Sequence, residues 1–490
     1  MSDFPDSRIF HLNDDRSAIV DEVIAREMAE KGRSEGSLEL AINDTAFHEI
    51  ARLETGRKNK AKLEEWVELY RTLGRRGADE KARVLRKLVS GYAWDVVGNF
   101  DPKVYRMATS VVPSGLALLF KSQLGGNQAG LAERILIQGH TDHLRSLVGK
   151  GTVILVPTHS SNLDSIVLGY ALHHLGLPPF TYGAGKNLFS NFIFSYFMNN
   201  LGAYRVDRRL KDKLYKDVLK TYSTVILERG YHSLFFPAGG RMRSGAIEQK
   251  LKLGLLGTGL TAYIHNLIHH KPNPNVYIVP VTLNYPLVLE AATLIDDHLK
   301  DLGKSRYIIE DDESSKIGRI LAYTKAVLAF EGRMIFRFGT PLDPFGNRVD
   351  REGVSHDMRG RPIDLRSYVE QGGVPQHDRA RDAEYTRELG VSIADAFKRN
   401  NVALATHVVA FTLYQLLSEA NPGLDVYRLI RLPAERASLP VSQVLEALGK
   451  LRDRLVAVAQ RIARAGLAAG VTMVASSSFW KSKSGGASLR

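Results

Sequence analysis

Short apolar runs alternate with longer segments of helical periodicity through the middle of this 490-residue chain. The predicted strands are residues 152–157, 180–184, 203–206, 233–237, 276–283 and 334–338. The predicted helices between them are residues 163–175, 211–228 and 250–269. Alternation of this kind is typical of an α/β fold, in which helices cover the faces of a sheet.

The sequence on either side of this pattern changes character. Residues 1–105 predict an N-terminal region of charged amphipathic helices, and the α/β domain is assigned to 106–345. Residues 346–390 are rich in Arg, Asp, Gly and Pro, which predicts a polar linker or insertion. Residues 391–475 predict a C-terminal helical region, and the Ser/Gly/Lys-rich segment 476–490 predicts a disordered tail.

Composition narrows the classes of ligand. The chain has no cysteine, which excludes disulfides and thiolate metal sites, and its formal net charge is +13. A basic surface suits phosphorylated ligands, anionic membranes or nucleic acid. No basic run is interleaved with aromatic residues, so the first two are favoured over nucleic acid.

A histidine and a carboxylate, His159 and Asp164, follow the first predicted strand five positions apart. On one regular helix that spacing would separate them by about 140°. They can meet only if His159 lies in a loop and Asp164 opens the next helix. Asp164 could then hold one imidazole nitrogen, which makes His159 a candidate general base. The alternative is a surface histidine beside a helix-capping aspartate.

Backbone N–H groups in the turn from Ser160 to Asp164 are candidate donors for an oxyanion.

Two further segments combine glycines with cations, and a third is a predicted buried strand. Residues 202–209 contain a glycine, a short strand and then Arg208; the alternative there is a solvated basic turn. In residues 235–245 an apolar strand leads into two glycines and two arginines, which suits an anion site or, alternatively, a plain glycine turn. Lys252 is a further candidate cation, and residues 278–283 predict a buried strand that could line an acyl groove.

In their order and spacing, these four segments resemble the four motif blocks of the glycerolipid acyltransferase superfamily, which share a His-x4-Asp motif. The resemblance is strongest to the bacterial and mitochondrial glycerol-3-phosphate 1-O-acyltransferases, and it covers roughly residues 130–345. It implies a glycerolipid-acyltransferase-type sheet, with His159 as catalytic base and Asp164 as its partner. It also implies a substrate-binding set composed of Arg208, Gly239, Gly240, Arg241, Arg243 and Lys252.

The reaction implied by the resemblance is acyl transfer from acyl-CoA or acyl carrier protein to the 1-hydroxyl of glycerol 3-phosphate. The product would be lysophosphatidic acid, and neither a metal nor another cofactor is expected. The expected partners are therefore glycerol 3-phosphate, the acyl donor and an anionic membrane surface, without nucleic acid.

The expected location is the cytoplasm, with peripheral attachment to the inner face of the cell membrane. The first 33 residues lack the apolar core of a signal peptide, and no apolar run reaches the roughly 20 residues of a membrane span. Residues 188–201, which are rich in aromatics, are a candidate interfacial helix or an ordinary core helix.

The chain departs from the family pattern at two positions of the site. Ala238 stands where the family has glutamate before the two glycines, and Ser160 stands where arginine commonly follows the histidine. Two alternatives follow: a lysophosphatidate acyltransferase, to whose second block Asp207-Arg208 is nearer, or a catalytically impaired lipid-binding protein. A lipase or thioesterase is disfavoured because Ser161 and Ser165 lack the flanking glycines of a nucleophile elbow.

Overall fold

The structure is a computed structural model that describes residues 7–56, 59–119, 128–186, 192–242, 246–288, 290–291, 294, 333–429 and 431–464. Its α-helices in these ranges are α1 Leu12–Lys31, α2 Glu35–Gly56, α3 Lys60–Thr72, α4 Ala78–Val96, α5 Pro102–Leu119, α6 Gln128–Arg134, α7 Thr141–Val148, α8 Asp164–His174, α9 Phe192–Asn200, α10 Lys213–Glu228, α11 Leu253–Ile268, α12 Arg379–Asn400, α13 Ala405–Ala420, α14 Val426–Leu429, α15 Ala434–Ala437 and α16 Val441–Arg464. Its strands are β1 Ile135–Gly139, β2 Thr152–Pro157, β3 Thr181–Gly185, β4 Ala203–Val206, β5 Ser233–Leu234, β6 Val276–Asn284, β7 Met334–Phe338, β8 Arg348–Val349, β9 Ser355–His356, β10 Glu370–Gln371 and β11 Val374–Pro375.

A seven-stranded sheet in the order β1-β7-β6-β2-β5-β3-β4 forms the centre of the fold. Strands β6, β2, β5, β3 and β4 run parallel, whereas β7 is antiparallel to β6 and pairs in parallel with β1. Every residue of β2 and β6 is buried, as expected for strands covered by helices on both faces. The α/β class predicted from the alternating pattern is confirmed.

Two strands differ from the sequence prediction. Strand β1 was not predicted; it lies at the edge of the sheet, and its middle residues are only partly buried. Strand β5 ends at Leu234 instead of continuing to Pro237. The chain turns there: the N–H of Gly239 donates to the carbonyl of Phe236, and Gly239 has a φ of +72°. Proline cannot donate to a sheet, and this φ favours glycine, so the turn is encoded locally.

The N-terminal helices share a hydrophobic core with the sheet domain. Helices α1, α2 and α4 contribute buried residues to one apolar cluster, and α10 contributes to the same cluster. An ionic contact accompanies it: Arg26 of α1 donates to both carboxylate oxygens of Glu228 at the end of α10, at 2.7 and 2.6 Å. Burial raises the pKa of Glu228, but hydrogen bonds from Arg26 and His265 outweigh it and hold the pKa at about 2.

The C-terminal part of the described chain begins on the sheet and ends in a separate small cluster. Helix α12 packs on α11 and β6, and Thr282 donates to the carbonyl of Asn400 at 2.9 Å. Helices α13 and α16 pack on each other around Leu416, Val444 and Leu448. Two short strand pairs, β8–β9 and β10–β11, and the start of α12 occupy residues 346–390. The predicted tail, 476–490, lies outside the described residues.

Substitution of Leu85 tests whether the N-terminal helices and the sheet form one cooperative core. Leu85 is 0% exposed on α4, so Leu85→Ala should lower the free energy of unfolding by about 2–5 kcal/mol in a denaturant titration. The exposed neighbour Arg86 is the control, because Arg86→Ala should change stability by no more than about 0.5 kcal/mol. Two separate unfolding transitions in the Leu85 variant would contradict a shared core.

Candidate active site

His159 and Asp164 meet across the turn between β2 and α8. His159 lies in the loop after β2, and Asp164 is the first residue of α8. The Nδ1 atom of His159 is 2.8 Å from Oδ2 of Asp164. A carboxylate at this nitrogen favours the proton on Nδ1 and leaves Nε2 as the basic nitrogen. This arrangement is the one that the spacing of the two residues required.

The Asp164 carboxylate is fully buried and has three further donors. Oδ2 also accepts the N–H groups of Ser160 and Ser161, at 2.7 and 3.0 Å. Oδ1 accepts the hydroxyl of Tyr285, which follows β6, at 2.5 Å. Burial and the charge of Asp164 raise the pKa of Tyr285 well above its ordinary value. The hydroxyl therefore keeps its proton and is the donor of this hydrogen bond. Tyr285 was not predicted as a site residue; its position directly after the fourth segment was the available signal.

The segment after β5 holds the backbone of His159 on both sides. The N–H of Met242 donates to the His159 carbonyl at 2.7 Å, and the N–H of His159 donates to Oε1 of Glu248 at 3.0 Å. The ring of Phe236 stacks on the imidazole, with centroids 4.1 Å apart. Burial, followed by the charge of Asp164, raises the pKa of Glu248 to about 7. Nothing in the sequence pattern distinguished Glu248 from a surface glutamate.

A second carboxylate, Glu290, anchors the other end of the turn. Its oxygens accept the Ser161 hydroxyl at 2.9 Å and the Asn162 N–H at 2.8 Å. The guanidinium of Arg241 lies 3.9 Å from the same residue. Glu290 thereby connects the turn of the histidine to the arginine of the third segment. Glu290 could not be selected from the sequence, because it lies outside the four segments.

The expectation that the Ser160–Asp164 turn supplies oxyanion donors is wrong. The N–H groups of Ser160 and Ser161 bind Asp164, and that of Asn162 binds Glu290. The remaining two, of Leu163 and Asp164, bind the hydroxyl and carbonyl of Ser161, each at 3.2 Å. Each N–H donor of this turn therefore already has an acceptor, either one of two carboxylates or Ser161.

Two N–H groups of the third segment are available instead. Within the part of the chain that the structure describes, the N–H groups of Gly240 and Arg241 have no hydrogen-bond acceptor. They lie next to Met242, which binds the His159 carbonyl.

The second and third segments meet at the edge of the sheet where the parallel strands end. A β-carbon at Gly240 would lie 3.8 Å from Nη1 of Arg208, and one at Gly239 would lie 3.2 Å from the side chain of Lys252. Carboxyl ends of parallel strands are the usual position of ligand sites in α/β sheets. Of the predicted site residues, Arg243 lies outside the described residues.

The cations at this edge differ in their partners. Lys186 pairs with Asp95 at 2.7 Å, and Arg209 pairs with Asp207 at 2.8 Å. Arg208 and Lys252 have no acidic partner among the residues that are described. These two side chains are therefore available to an anionic ligand. Within the same ranges, no group of three or more histidine and acidic side chains is arranged to hold a metal ion.

Known proteins resemble this chain over the same region. The Acyltransferase family matches residues 136–284, from β1 to the end of β6. The chain is 26% identical over 252 residues to a glycerol-3-phosphate acyltransferase of Xanthomonas axonopodis pv. citri, covering 51% of this chain and 25% of the relative. It is 32% identical over 230 residues to the glycerol-3-phosphate acyltransferase of Actinobacillus succinogenes, an alignment that covers 46% of this chain and 26% of the relative. It is 29% identical over 381 residues to the glycerol-3-phosphate acyltransferase of Aeromonas hydrophila subsp. hydrophila, an alignment that covers 75% of this chain and 42% of the relative.

The chain thus matches about a quarter to two fifths of the length of these relatives. Among solved structures, the 1-acyl-sn-glycerophosphate (LPA) acyltransferase PlsC from Thermotoga maritima matches with a TM-score of 0.28 and 13% identity, covering 60% of this chain and 93% of that one.

The matched residues 136–284 contain the His159–Asp164 pair, Arg208 and the glycine turn before Arg241. Residues 136–284 thus match the Acyltransferase family, and the chain is similar in sequence to glycerol-3-phosphate acyltransferases.

Proposed function

We propose that the protein transfers a fatty acyl group from acyl-CoA or acyl carrier protein to the 1-hydroxyl of glycerol 3-phosphate, giving lysophosphatidic acid for phospholipid synthesis. The observation that carries the proposal is the His159–Asp164 pair at 2.8 Å, at the sheet edge that also presents Arg208 and Lys252. A base beside cations without acidic partners suits an acceptor that carries both a hydroxyl and a phosphate. The names of the relatives support the same acceptor.

In this mechanism His159 acts first as base and then as acid. Nε2 takes the proton of the acceptor hydroxyl while its oxygen attacks the thioester carbonyl, and Asp164 stabilises the imidazolium that forms. The tetrahedral intermediate then expels the thiolate. The thiolate takes the proton from His159 and leaves as a thiol, so the base returns to its starting form.

The third segment and two cations beside it provide groups for both negative charges of the reaction. The N–H groups of Gly240 and Arg241 are candidates for binding the oxyanion, since those of the Ser160–Asp164 turn are already used. The cations Arg208 and Lys252 would bind the phosphate, and a guanidinium can contact two phosphate oxygens at once. Binding the phosphate orients the hydroxyl toward His159, which lowers the entropic barrier of the transfer.

Peripheral binding to an anionic membrane is part of the proposal. Helix α5 exposes Met107 and Val111, at 42% and 57%, and α9, against which it packs, exposes Tyr196 at 46%. Lys103 and Arg106 are exposed beside them on α5. Each basic residue near such a surface contributes about 1 kcal/mol. Helix α9 falls in the candidate interfacial segment 188–201, of which residues 188–191 lie outside the described chain.

Among the described helices, none alone is long and apolar enough to span a membrane; α12 and α13 pass that test of length and composition only as a pair bent by 87°.

Replacing the base tests the reaction directly. His159→Ala should reduce transfer of labelled acyl groups to glycerol 3-phosphate by at least about 100-fold, because general base catalysis typically contributes that much or more. The purified wild-type protein is assayed in parallel with glycerol 3-phosphate, lysophosphatidate, dihydroxyacetone phosphate and water as acceptors. Unchanged turnover in the variant would refute the role of His159. Transfer to lysophosphatidate alone would favour the second acceptor, to which Asp207-Arg208 also points.

Adjacent arginines provide a matched test of phosphate binding. Arg208→Ala should raise the KM for glycerol 3-phosphate by about 10- to 100-fold and leave the KM for the acyl donor unchanged, because it removes one charged contact to the phosphate. Arg209→Ala is the control, since Arg209 is exposed and already paired with Asp207. Equal effects of the two substitutions would show that general surface charge, not a site at Arg208, binds the acceptor.

The membrane surface is tested with vesicles of phosphatidylcholine, prepared with and without phosphatidylglycerol. The wild-type protein should sediment with the anionic vesicles, and added salt should release it. The double substitution Met107→Ser and Val111→Ser should reduce the bound fraction several-fold, whereas Val391→Ser, at a position 51% exposed on α12, should not. Equal binding of all three proteins would exclude α5 as the docking surface.

A further inference from the structure

A partly buried glutamate outside the four motif segments contacts the loop of the base. Glu248 lies between the glycine turn and α11, and its Oε1 accepts the N–H of His159 at 3.0 Å. Its second oxygen, Oε2, is buried and has no hydrogen-bond partner among the residues that the structure describes. A buried polar atom without a partner is unfavourable, so a residue that retains one needs an explanation.

The contact to Glu248 completes the fixation of the His159 backbone. The carbonyl of His159 is already held by the N–H of Met242 at 2.7 Å, and the ring is held by Asp164 and by stacking on Phe236. Without Glu248, the N–H of His159 would have no acceptor in this arrangement. The peptide before the imidazole could then rotate, and Nε2 would move relative to the acceptor hydroxyl.

The protonation state of Glu248 does not interrupt this contact. Burial and the charge of Asp164 raise the pKa of Glu248 to about 7, so both forms are present near neutral pH. A protonated carboxyl still accepts a hydrogen bond through its carbonyl oxygen. The contact therefore depends on the position of an oxygen atom and not on a negative charge.

We propose that Glu248 is a positioning residue for His159: it holds the backbone N–H of the base and thereby sets the direction of Nε2. This inference rests on the proposed acyl transfer. Glu248 does not itself contact the reacting atoms in this scheme. Its effect on the reaction passes through the orientation of the imidazole, where a displacement of about 1 Å can reduce the rate about 100-fold.

Three substitutions of Glu248 separate position from charge. Glu248→Ala removes the acceptor and should lower kcat by about 10- to 100-fold while both KM values stay within a few-fold. Glu248→Asp keeps the charge, but its side chain is one methylene shorter and places the carboxylate too far from the His159 N–H. This variant should therefore lose activity as the alanine variant does. Glu248→Gln keeps an oxygen at the same place and should stay within a few-fold of wild type. The exposed neighbour Gln249 is the control, and Gln249→Ala should leave kcat unchanged.

The reactivity of His159 toward diethyl pyrocarbonate gives a second measurement that needs no turnover. The difference between the wild type and His159→Ala identifies the signal of this one histidine. That signal should change several-fold in Glu248→Ala and remain as in the wild type in Glu248→Gln. If the wild type transfers no acyl group, the proposed function fails, and this reactivity alone decides the role of Glu248.

Three results would overturn the inference. One is a wild-type kcat in Glu248→Ala. Another is equal loss in the glutamine and alanine variants, because charge and not the hydrogen bond would then matter. The third is unchanged His159 reactivity in a folded Glu248→Ala protein. Thermal unfolding of each variant is measured first, and the comparison of the aspartate and glutamine variants decides the question if Glu248→Ala does not fold.

Discussion

The candidate site depends on one fully buried carboxylate, Asp164, and on the four groups that donate to it. They are the imidazole of His159, two backbone N–H groups of the turn and the hydroxyl of Tyr285. A buried charge is tolerated only when it is well paired and hydrogen-bonded. The same contacts that satisfy Asp164 bring the loop after β2, the start of α8 and the end of β6 to one point. Stability of the carboxylate and geometry of the base therefore have one physical origin.

Some polar groups of the site already have partners within the protein, whereas others are available to bind a ligand. Asp164, Glu290 and Ser161 take up the N–H groups of the turn, and Asp207 and Asp95 take up neighbouring cations. Among the described residues, a small set in the third segment and beside it remains without such partners: two N–H groups, Arg208 and Lys252. An anionic substrate would be bound by groups that lack partners, because those already paired would first have to break a bond.

Ala238 looked like the loss of a site carboxylate, but the structure alters the meaning of that departure. A carboxylate does lie beside the base in this chain; it belongs to Glu248, ten positions further along, and contacts the backbone of His159. Glu290 supplies another from beyond β6. Neither could be selected from the sequence, since an isolated glutamate is usually a solvated surface residue.

The sequence by itself determined the α/β class, most strands of the sheet and the pair His159 and Asp164, because strand length, helical periodicity and a loop spacing are local properties. Tertiary structure alone decided three things. It paired the edge strand β1 with β7, and it brought Tyr285, Glu248 and Glu290 to the turn. Within the described ranges it also left Arg208 without an acidic partner, whereas it paired Arg209 with Asp207. These outcomes depend on which distant atoms lie within about 3 Å of each other, and only the folded chain brings such atoms together.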